Sequence, residues 1–366
     1  MQVRTTQILV NNLYKWGVET MNTKYALPMV LAGSVMLSGC WLDDDDNDSA
    51  DAATQTILEI AVENENTTIL EEAVLAADPT IAELLGGDDE LTVFAPTDAA
   101  FQALLDDLGI TAEELLANTA LLNAVLPYHV LATSVGEVKA DSAISVAQNA
   151  PAESLVPTVN GKDVALSISE ESGENVLYVN TSRVTVTDVD ATNGVIHLID
   201  KVLLPPPSDL SDTDSTIAEI VTALANAEQD AEFTILLDAL LEASGRMGAT
   251  DLVAAASDPD AALTVFAPTD AAFATLLADQ GLTAEQLLAS PDLPGILEQH
   301  ILGTTIDSLT AYASNGGTVA NLAGTTLNVD IQNNALVIEG SNVTEAQVEA
   351  SNGVIHVIDK VIFAVD

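Results

Sequence analysis

The stretch Leu91-Thr-Val-Phe-Ala-Pro-Thr-Asp-Ala-Ala-Phe101 recurs without a change at Leu263 to Phe273, so one structural unit is used twice in this chain. A second shared string follows each copy. Asn193-Gly-Val-Ile-His-Leu-Ile-Asp-Lys-Val-Leu203 is matched by Asn352-Gly-Val-Ile-His-Val-Ile-Asp-Lys-Val-Ile362. The copies lie about 160 residues apart, whereas solenoid repeats have periods of about 20 to 50 residues. We therefore predict two complete domains, each with its own core.

The limits of the two domains follow from where the shared strings begin and end. We place the first domain at residues 53–204 and the second at residues 215–366. Between them, residues 205–214 read Pro-Pro-Pro-Ser-Asp-Leu-Ser-Asp-Thr-Asp. Consecutive prolines favour an extended backbone, and the carboxylates keep such a segment solvated. We therefore predict a semi-rigid linker at residues 205–214.

The first shared string predicts a strand followed directly by a helix. Residues 91–95 are apolar and β-prone, which is typical of a short strand. Thr97 then offers a side-chain oxygen as an N-cap, and Asp98 places a negative charge in the first helical turn. Thr269 and Asp270 occupy the same positions in the second copy. We interpret these four residues as structural, because a strand-to-helix corner accounts for all of them.

The later half of each copy changes to short runs of strand-like residues separated by Gly, Asn and Asp turns. The predicted strands are residues 164–169, 176–179, 183–187 and 195–199 in the first copy and 326–331, 335–339 and 354–358 in the second. Helices first and strands afterwards indicate an α+β fold with a β-sandwich or barrel-like core flanked by N-terminal helices. The last strand of each copy is apolar on both faces, so we expect it to lie inside its sheet.

The amino terminus predicts export and lipidation. An apolar run at residues 25–37 is too short to span a bilayer, and we interpret residues 1–39 as a signal peptide that starts at Met1 or Met21. The residues Leu37-Ser-Gly-Cys40 resemble a bacterial lipobox, which implies that Cys40 is lipidated. Residues 40–52 form an acidic tether. Trp41 in place of aspartate, by resemblance to Gram-negative sorting, favours the outer membrane.

Charge restricts the partners that the chain can bind. Removing residues 1–39 takes away three of the 9 basic and one of the 56 acidic residues, which leaves a net charge of −49. Nucleic acid is excluded as a partner, because phosphate binding requires clustered Lys and Arg. The same charge repels anionic lipid head groups, so we expect contact with the membrane through the lipid anchor alone.

The two shared strings together resemble those of the fasciclin (FAS1) family, and the resemblance covers both predicted domains. It implies, for each domain, a seven-stranded β-sandwich or barrel flanked by helices, and a role in cell adhesion or matrix binding. A Tyr-His pair with apolar neighbours is the proposed adhesion motif of the family. Here it is matched by Tyr128, His129, Val130 and Leu131. The second copy departs from the motif, since Gln299 precedes His300, Ile301 and Leu302.

The four histidines raise the alternative of a catalytic or metal site. His129 aligns with His300, and His197 aligns with His356, so each copy holds two. A site built from His129, His197 and Asp98 is conceivable, but no His-Glu-x-x-His, Cys-x-x-Cys, Gly-x-Ser-x-Gly or phosphate-loop pattern accompanies these residues. We expect His197 and His356 to be neutral core residues, and we predict no catalytic residue, no metal and no cofactor.

The sequence therefore favours a lipid-anchored protein of the cell envelope that mediates adhesion to an extracellular or periplasmic protein or to a polysaccharide. Two linked modules raise avidity through effective concentration, which suits binding. One alternative is a periplasmic scaffold that never reaches the cell surface. A second alternative is a hydrolase that uses His129 with a carboxylate.

Overall fold

The structure is a computed structural model that describes residues 53–149, 154–171, 173–206, 214–227, 231–246 and 250–363. The predicted signal peptide, the lipidation site at Cys40 and most of the linker lie outside the described residues. Within the described ranges, no helix is both long enough and apolar enough to cross a membrane.

Each half of the chain begins with helices and ends with strands, as the sequence predicts. In the first half the helices are α1 (Ile57–Glu63), α2 (Thr68–Ala76), α3 (Pro79–Leu85), α4 (Asp98–Leu108), α5 (Ala112–Ala117), α6 (Thr119–Val125) and α7 (Ala140–Asn149), and the strands are β1 (Leu91–Pro96), β2 (Leu155–Pro157), β3 (Asp163–Glu171), β4 (Glu174–Val179), β5 (Ser182–Ala191) and β6 (Gly194–Ile199). A 3₁₀ turn covers Leu126–His129.

The second half repeats this order. Its helices are α8 (Ile217–Ala225), α9 (Thr234–Ser244), α10 (Leu252–Ser257), α11 (Asp270–Gln280), α12 (Ala284–Leu288), α13 (Leu293–Gln299) and α14 (Ser308–Ala313), and its strands are β7 (Leu263–Pro268), β8 (Ile301–Leu302), β9 (Gly317–Ala320), β10 (Thr326–Gln332), β11 (Ala335–Ile338), β12 (Ser341–Ala350) and β13 (Gly353–Ile358). Strand β12 and the short strands β2, β8 and β9 have no counterpart in the sequence-based assignment.

Each half forms one curled, mixed sheet. In the described part of the first domain the strand order is β1-β6-β5-β4-β3-β2, and in that of the second it is β8-β7-β13-β12-β11-β10-β9. Strand β6 pairs parallel with β1 and antiparallel with β5, and β13 pairs in the same way with β7 and β12. The last strand of each copy therefore lies inside its sheet, as its apolar faces predict.

Within the described residues, the expected seven strands appear in the second domain alone. In the described residues of the first domain, the position of β8 is taken by two isolated bridges, from Val93 to Val130 and from Leu131 to Thr158. These two bridges nevertheless connect β1 back toward β2, so they almost close the sheet. The α+β fold with a barrel-like core is thus confirmed, and the strand count differs because this edge is too short to be a regular strand.

Strands β1 and β6 are buried on both faces because each domain has two core layers. In the first domain, Leu70, Phe101 and Leu122 pack between the helices and the sheet. Phe94 and Leu166 belong to a second cluster on the other side, between α7 and the curled strands. The six residues of β1 are all buried for this reason.

The two domains contact each other through α14 and β3. Ala165 and Ser167 alternate along β3 with residues of the first domain's core, and they are buried where α14 packs against that strand. Asn315 Nδ2 donates to the Ile168 carbonyl at 3.0 Å, and Lys201 Nζ donates to the Asn334 carbonyl at 3.0 Å. Small side chains on β3 thus allow a helix of the second domain to approach closely.

Asp98 caps a second helix as well as standing in the first turn of its own. Thr97 is the N-cap of α4, as predicted, because its side chain accepts from the Ala100 amide. The carboxylate of Asp98 reaches α2 instead, where it accepts from the Ile69 amide at 2.8 Å and from the Thr68 hydroxyl at 2.6 Å. Asp270 makes the same contacts with Ile235 and Thr234 at the start of α9. The N-cap residues of α2 and α9 supply no side-chain cap of their own.

Replacement of Asp98 by alanine is expected to lower the free energy of unfolding of the first domain by about 1 to 2 kcal/mol, the cost of losing a helix cap. Asp98→Asn should lose less, because an amide oxygen still accepts from Ile69. Urea denaturation followed by circular dichroism measures both. Asp279→Ala, at an exposed position near the end of α11, is the control and should change stability by less than about 0.5 kcal/mol. An equal effect of Asp98→Ala and Asp279→Ala would contradict the capping role.

Candidate functional site

The candidate adhesion motif of the first domain lies in the interior. Tyr128, His129, Val130 and Leu131 are at most 3% exposed. Tyr128 Oη donates to the Asp163 carbonyl at 2.8 Å and accepts from Asn180 Nδ2 at 3.1 Å. Burial raises the pKa of the Tyr128 hydroxyl, so it stays protonated. The folded domain therefore covers all four side chains of the candidate adhesion motif.

The weaker motif of the second domain is buried as well. His300, Ile301 and Leu302 are at most 4% exposed. Ile301 and Leu302 form the short strand β8, which pairs with β7. Gln299 stands at the position of Tyr128, and its carbonyl accepts from Asn321 Nδ2 at 3.3 Å. In both domains the segment therefore closes the edge of the sheet.

His129 and His300 connect the helical layer of each domain, through hydrogen bonds, to the residues that follow its last strand. Nδ1 of His129 lies 2.8 Å from the Val125 carbonyl, and Nε2 lies 2.9 Å from the Leu203 amide. A carbonyl can only accept and a backbone amide can only donate, so Nδ1 carries the proton and Nε2 is bare. His300 has the same arrangement with the Ile296 carbonyl and the Ile362 amide, each at 2.8 Å. Neither ring has a nitrogen left for chemistry.

The hydrogen bonds of His129 and His300 make the stability of each domain depend on pH. Burial lowers the pKa of His129 and of His300 to about 4, from an ordinary value of 6.5. A lowered pKa in the folded state means that the stabilisation is complete above about pH 6.5 and is lost as the pH falls toward 4. We expect the free energy of unfolding to fall by about 3 kcal/mol per domain across that interval.

Urea titrations at pH 7, 5.5 and 4 measure this dependence. Relief of the repulsion within the strongly acidic chain acts in the opposite direction, since protonated carboxylates reduce the net negative charge. His129→Gln is the comparison variant: it should be less stable at pH 7, and the first domain should then lose less stability on acidification than the wild type. A first domain that loses as much stability on acidification in His129→Gln as in the wild type would contradict this role of His129.

His197 and His356 hold irregular points in the neighbouring strands. His197 Nε2 donates to the Val138 carbonyl at 2.9 Å, and Nδ1 accepts from the Asp188 amide at 3.2 Å. Asp188 has a φ of 57°, in the left-handed region, and β5 shifts register there. The His197 ring also stacks on Phe94 at a centroid distance of 5.7 Å. Burial lowers the pKa of His197, so the ring is neutral at neutral pH.

The second copy repeats this arrangement with different side chains. His356 Nε2 donates to the Ile306 carbonyl, Nδ1 accepts from the Gln347 amide, and the ring stacks on Phe266. Gln347 has a φ of 66° at the corresponding irregularity of β12. Both rings therefore bond to backbone on each side.

Two structural asparagines are missing from the sequence-based set. Asn193 Nδ2 donates to the Leu85 carbonyl at 2.9 Å and to the Gly87 carbonyl at 2.8 Å, and its Oδ1 accepts from the Ile57 amide at 2.9 Å. Asn352 joins the start of α8 to the end of α10 in the same way. One side chain thus fastens two helices to the sheet. The available signal is the Asn-Gly pair that opens each second string, which is easily taken for an ordinary turn.

The three groups of the conceivable catalytic site have separate roles. His129 bonds to Val125 and Leu203, His197 bonds to Val138 and Asp188, and the Asp98 carboxylate bonds to the first turn of α2. In the part of the chain that the structure describes, no group of three or more His, Cys, Asp or Glu side chains could hold a metal ion. The geometry supports a structural role for each of these residues.

Comparison with known proteins assigns the family. A family model described as the fasciclin domain matches residues 65–205 and 231–364. Human periostin is 27% identical over 282 residues, which cover 77% of this chain and 28% of periostin. Protein sll1483 of Synechocystis is 39% identical over 160 residues, 43% of this chain and 78% of that protein. The chain therefore spans about a quarter of periostin and most of the cyanobacterial relative.

Among solved structures, the chain matches the FAS1 domain pair from the insect cell adhesion molecule fasciclin I. It is 19% identical, covers 80% of this chain and 95% of the solved chain, and has a TM-score of 0.33. The family model matches the described strands and most of the described helices of both halves. The chain belongs to the fasciclin domain family and carries two fasciclin domains in tandem.

Proposed function

We propose that this chain is a lipid-anchored adhesion or binding protein of the cell envelope, and that it is not an enzyme. The observation that carries the proposal is the match of both halves to the fasciclin domain, which also occurs in a protein described as a cell adhesion molecule. The hydrogen bonds to backbone on both sides of all four histidine rings support the same conclusion. Residues 53–204 and 215–366 are the proposed domains, and lipidation at Cys40 is the proposed anchor.

The contact surface is proposed to lie outside the Tyr-His motif. Tyr128 and His129 are covered by the fold, and their hydrogen bonds hold β3 and the segment after β6. A substitution there would disturb binding only by disturbing the domain. The packing of α14 against β3 presents the two domains as a pair, which suits bivalent contact with an extended partner.

The charge of the surface narrows the class of partner. Residues 53–366 contain six basic residues, and Arg183 among them is half-buried. The other five donate to carboxylates, hydroxyls or backbone oxygens of the chain itself: Lys139, Lys162, Lys201, Arg246 and Lys360. The exposed surface is therefore strongly acidic. We propose a partner that is cationic or uncharged, such as a basic protein or a neutral polysaccharide.

Deletion and complementation of the gene test the adhesion function. We expect deletion to reduce attachment of cells to their surface or to one another, and the wild-type gene to restore it. Cys40→Ala should fail to restore attachment and should move the protein from the membrane fraction to the soluble fraction. Tyr128→Phe keeps the ring in its pocket and should restore attachment if the domain stays folded. Attachment that is unchanged by deletion would contradict the adhesion function.

Protease treatment of intact cells separates surface exposure from the periplasmic alternative. Cleavage of the protein on intact cells supports adhesion at the cell surface. Protection on intact cells, with cleavage after the outer membrane is opened, would replace that function by a periplasmic scaffold.

A further inference from the structure

The helical layer of the second domain encloses an apolar cavity of about 80 Å³. It is bounded by α8, α9, α10, α13 and β7, and its walls include Ile217, Leu236, Leu252 and Leu297. His300 lines the inner end, but both of its ring nitrogens are already bonded to backbone. The buried lining residues other than His300 are apolar, so the inner end offers a polar ligand no side chain with which to form a hydrogen bond.

The cavity opens toward the surface between α8, α9 and α10. Ala218, Leu240 and Val253 are half-buried at its rim, and Leu241 beside them is 55% exposed. A ligand could therefore enter without separation of the helices from the sheet. Among the rim residues that the structure describes, Thr222 is the one with a polar side chain, and it is exposed.

The corresponding cavity of the first domain is much smaller, about 30 Å³. The shared contacts of Asn193 and Asn352 align Leu85 with Ala256, and the shared start of α1 and α8 aligns Leu58 with Ala218. Leu58 Cδ2 lies 3.4 Å from the position that a Cβ on Gly86 would occupy, so it fills the space at the end of α3. Two leucines of the first domain are thus alanines in the second.

Other differences between the domains act in the opposite direction. Val221 stands where the first domain has Ala61, and Leu240 stands where it has Val74. Both add carbon atoms to the lining of the second cavity. The second cavity is nevertheless the larger one.

We propose that the cavity of the second domain is a binding site for an uncharged, apolar group of about three carbon atoms. An apolar cavity of about 150 Å³ stays dry and binds benzene or xenon, so roughly half that volume suits xenon or a three-carbon alkyl group. A charged or hydrogen-bonding group would lose its water without gaining a partner. This site goes beyond the proposed adhesion function.

Methyl NMR of the purified protein tests the site, with xenon and propane as probes. We expect saturable shifts of the Leu236, Leu252 and Leu297 methyl groups with both probes. The methyl groups of Leu70, Ile81 and Leu126, which line the smaller cavity, provide the internal control and should move at least fivefold less. Absence of a saturable shift, equal shifts in both domains, or a response to xenon without one to propane would overturn the proposal.

Exchange of the aligned residues between the domains locates the site. The double variant Ala218→Leu, Ala256→Leu fills the cavity with the residues of the first domain and should abolish the saturable shifts. The reciprocal variant Leu58→Ala, Leu85→Ala should create a response in the first domain. Shifts that persist in the filled variant, with its fold intact by amide spectra, would place the probe elsewhere and overturn the proposal. The result with the filled variant tests the proposal even if the reciprocal variant fails to fold.

Discussion

Replacement of Gly353 by alanine is expected to unfold the second domain, or to lower its free energy of unfolding by more than about 4 kcal/mol. Strand β13 pairs directly with β7, and a Cβ at Gly353 would lie 2.0 Å from the Leu263 carbonyl oxygen. The φ of Gly353 is 146°, a conformation that residues with a side chain rarely adopt. The clash is with backbone of the neighbouring strand, so no side-chain movement relieves it. In the first domain, a Cβ at Gly194 would likewise lie 1.9 Å from the Leu91 carbonyl oxygen.

Equilibrium unfolding in urea, with circular dichroism and tryptic sensitivity of each domain, measures this loss. Gly295→Ala is the matched control in the same domain. Gly295 lies in α13 with open space around its missing Cβ, so alanine there should stabilise the helix by up to about 1 kcal/mol. Opposite signs for the two substitutions are the expected outcome. A Gly353→Ala protein as stable as the wild type would show that the parallel pairing of β7 and β13 is wrong.

Removal of the Asn193 side chain is expected to lower the free energy of unfolding of the first domain by about 3 to 5 kcal/mol. Asn193→Ala leaves the Ile57 amide and the carbonyls of Leu85 and Gly87 without their hydrogen bonds. Each buried backbone group left in this way costs about 1 to 3 kcal/mol. Asn193→Asp should be at least as damaging at neutral pH, because a carboxylate cannot donate to two carbonyls. The same reasoning applies to Asn352 in the second domain.

Urea denaturation of both variants beside Asn175→Ala provides the test. Asn175 lies exposed on β4, so its loss should change stability by less than about 0.5 kcal/mol. The loss in Asn193→Asp should shrink on mild acidification, since a protonated carboxyl regains one donor. A tolerated Asn193→Asp at pH 7 would mean that the two carbonyls are not its partners.

The strand-to-helix corner of each domain could be predicted because its signals are local in the sequence. The long-range contacts of the same residues could not be predicted. The Thr97 cap, the strand before it and the end of α4 at Gly109 follow from residues within about one helical turn. The capping boxes of α5 and α12, at Thr111 and Thr283, follow in the same way. The second contact of Asp98 reaches 29 residues back along the chain to Ile69. No periodicity or turn rule specifies that separation.

The role of the Tyr-His motif could not be predicted from local sequence for the same reason. Its residue types suit a surface contact, since Tyr and His combine apolar area with a polar tip. Their burial depends on β2, β3 and the closing of the sheet, which are set by pairing between distant segments. The interface between α14 and β3 cannot be predicted from the sequence either. The small residues Ala165 and Ser167 are typical of an ordinary strand, and only the structure shows that the second domain covers them.

We propose that the repeated strings of this chain build the fold and take no part in chemistry. Long-range ¹⁵N–¹H NMR of the four histidine rings tests this claim most directly, because each ring nitrogen reports its own protonation. The structure predicts neutral rings at pH 7, with the proton on Nδ1 in His129 and His300 and on Nε2 in His197 and His356. His129 and His300 should begin to titrate only near pH 4. A ring that titrates near pH 6.5, or that carries the opposite tautomer, would contradict the account.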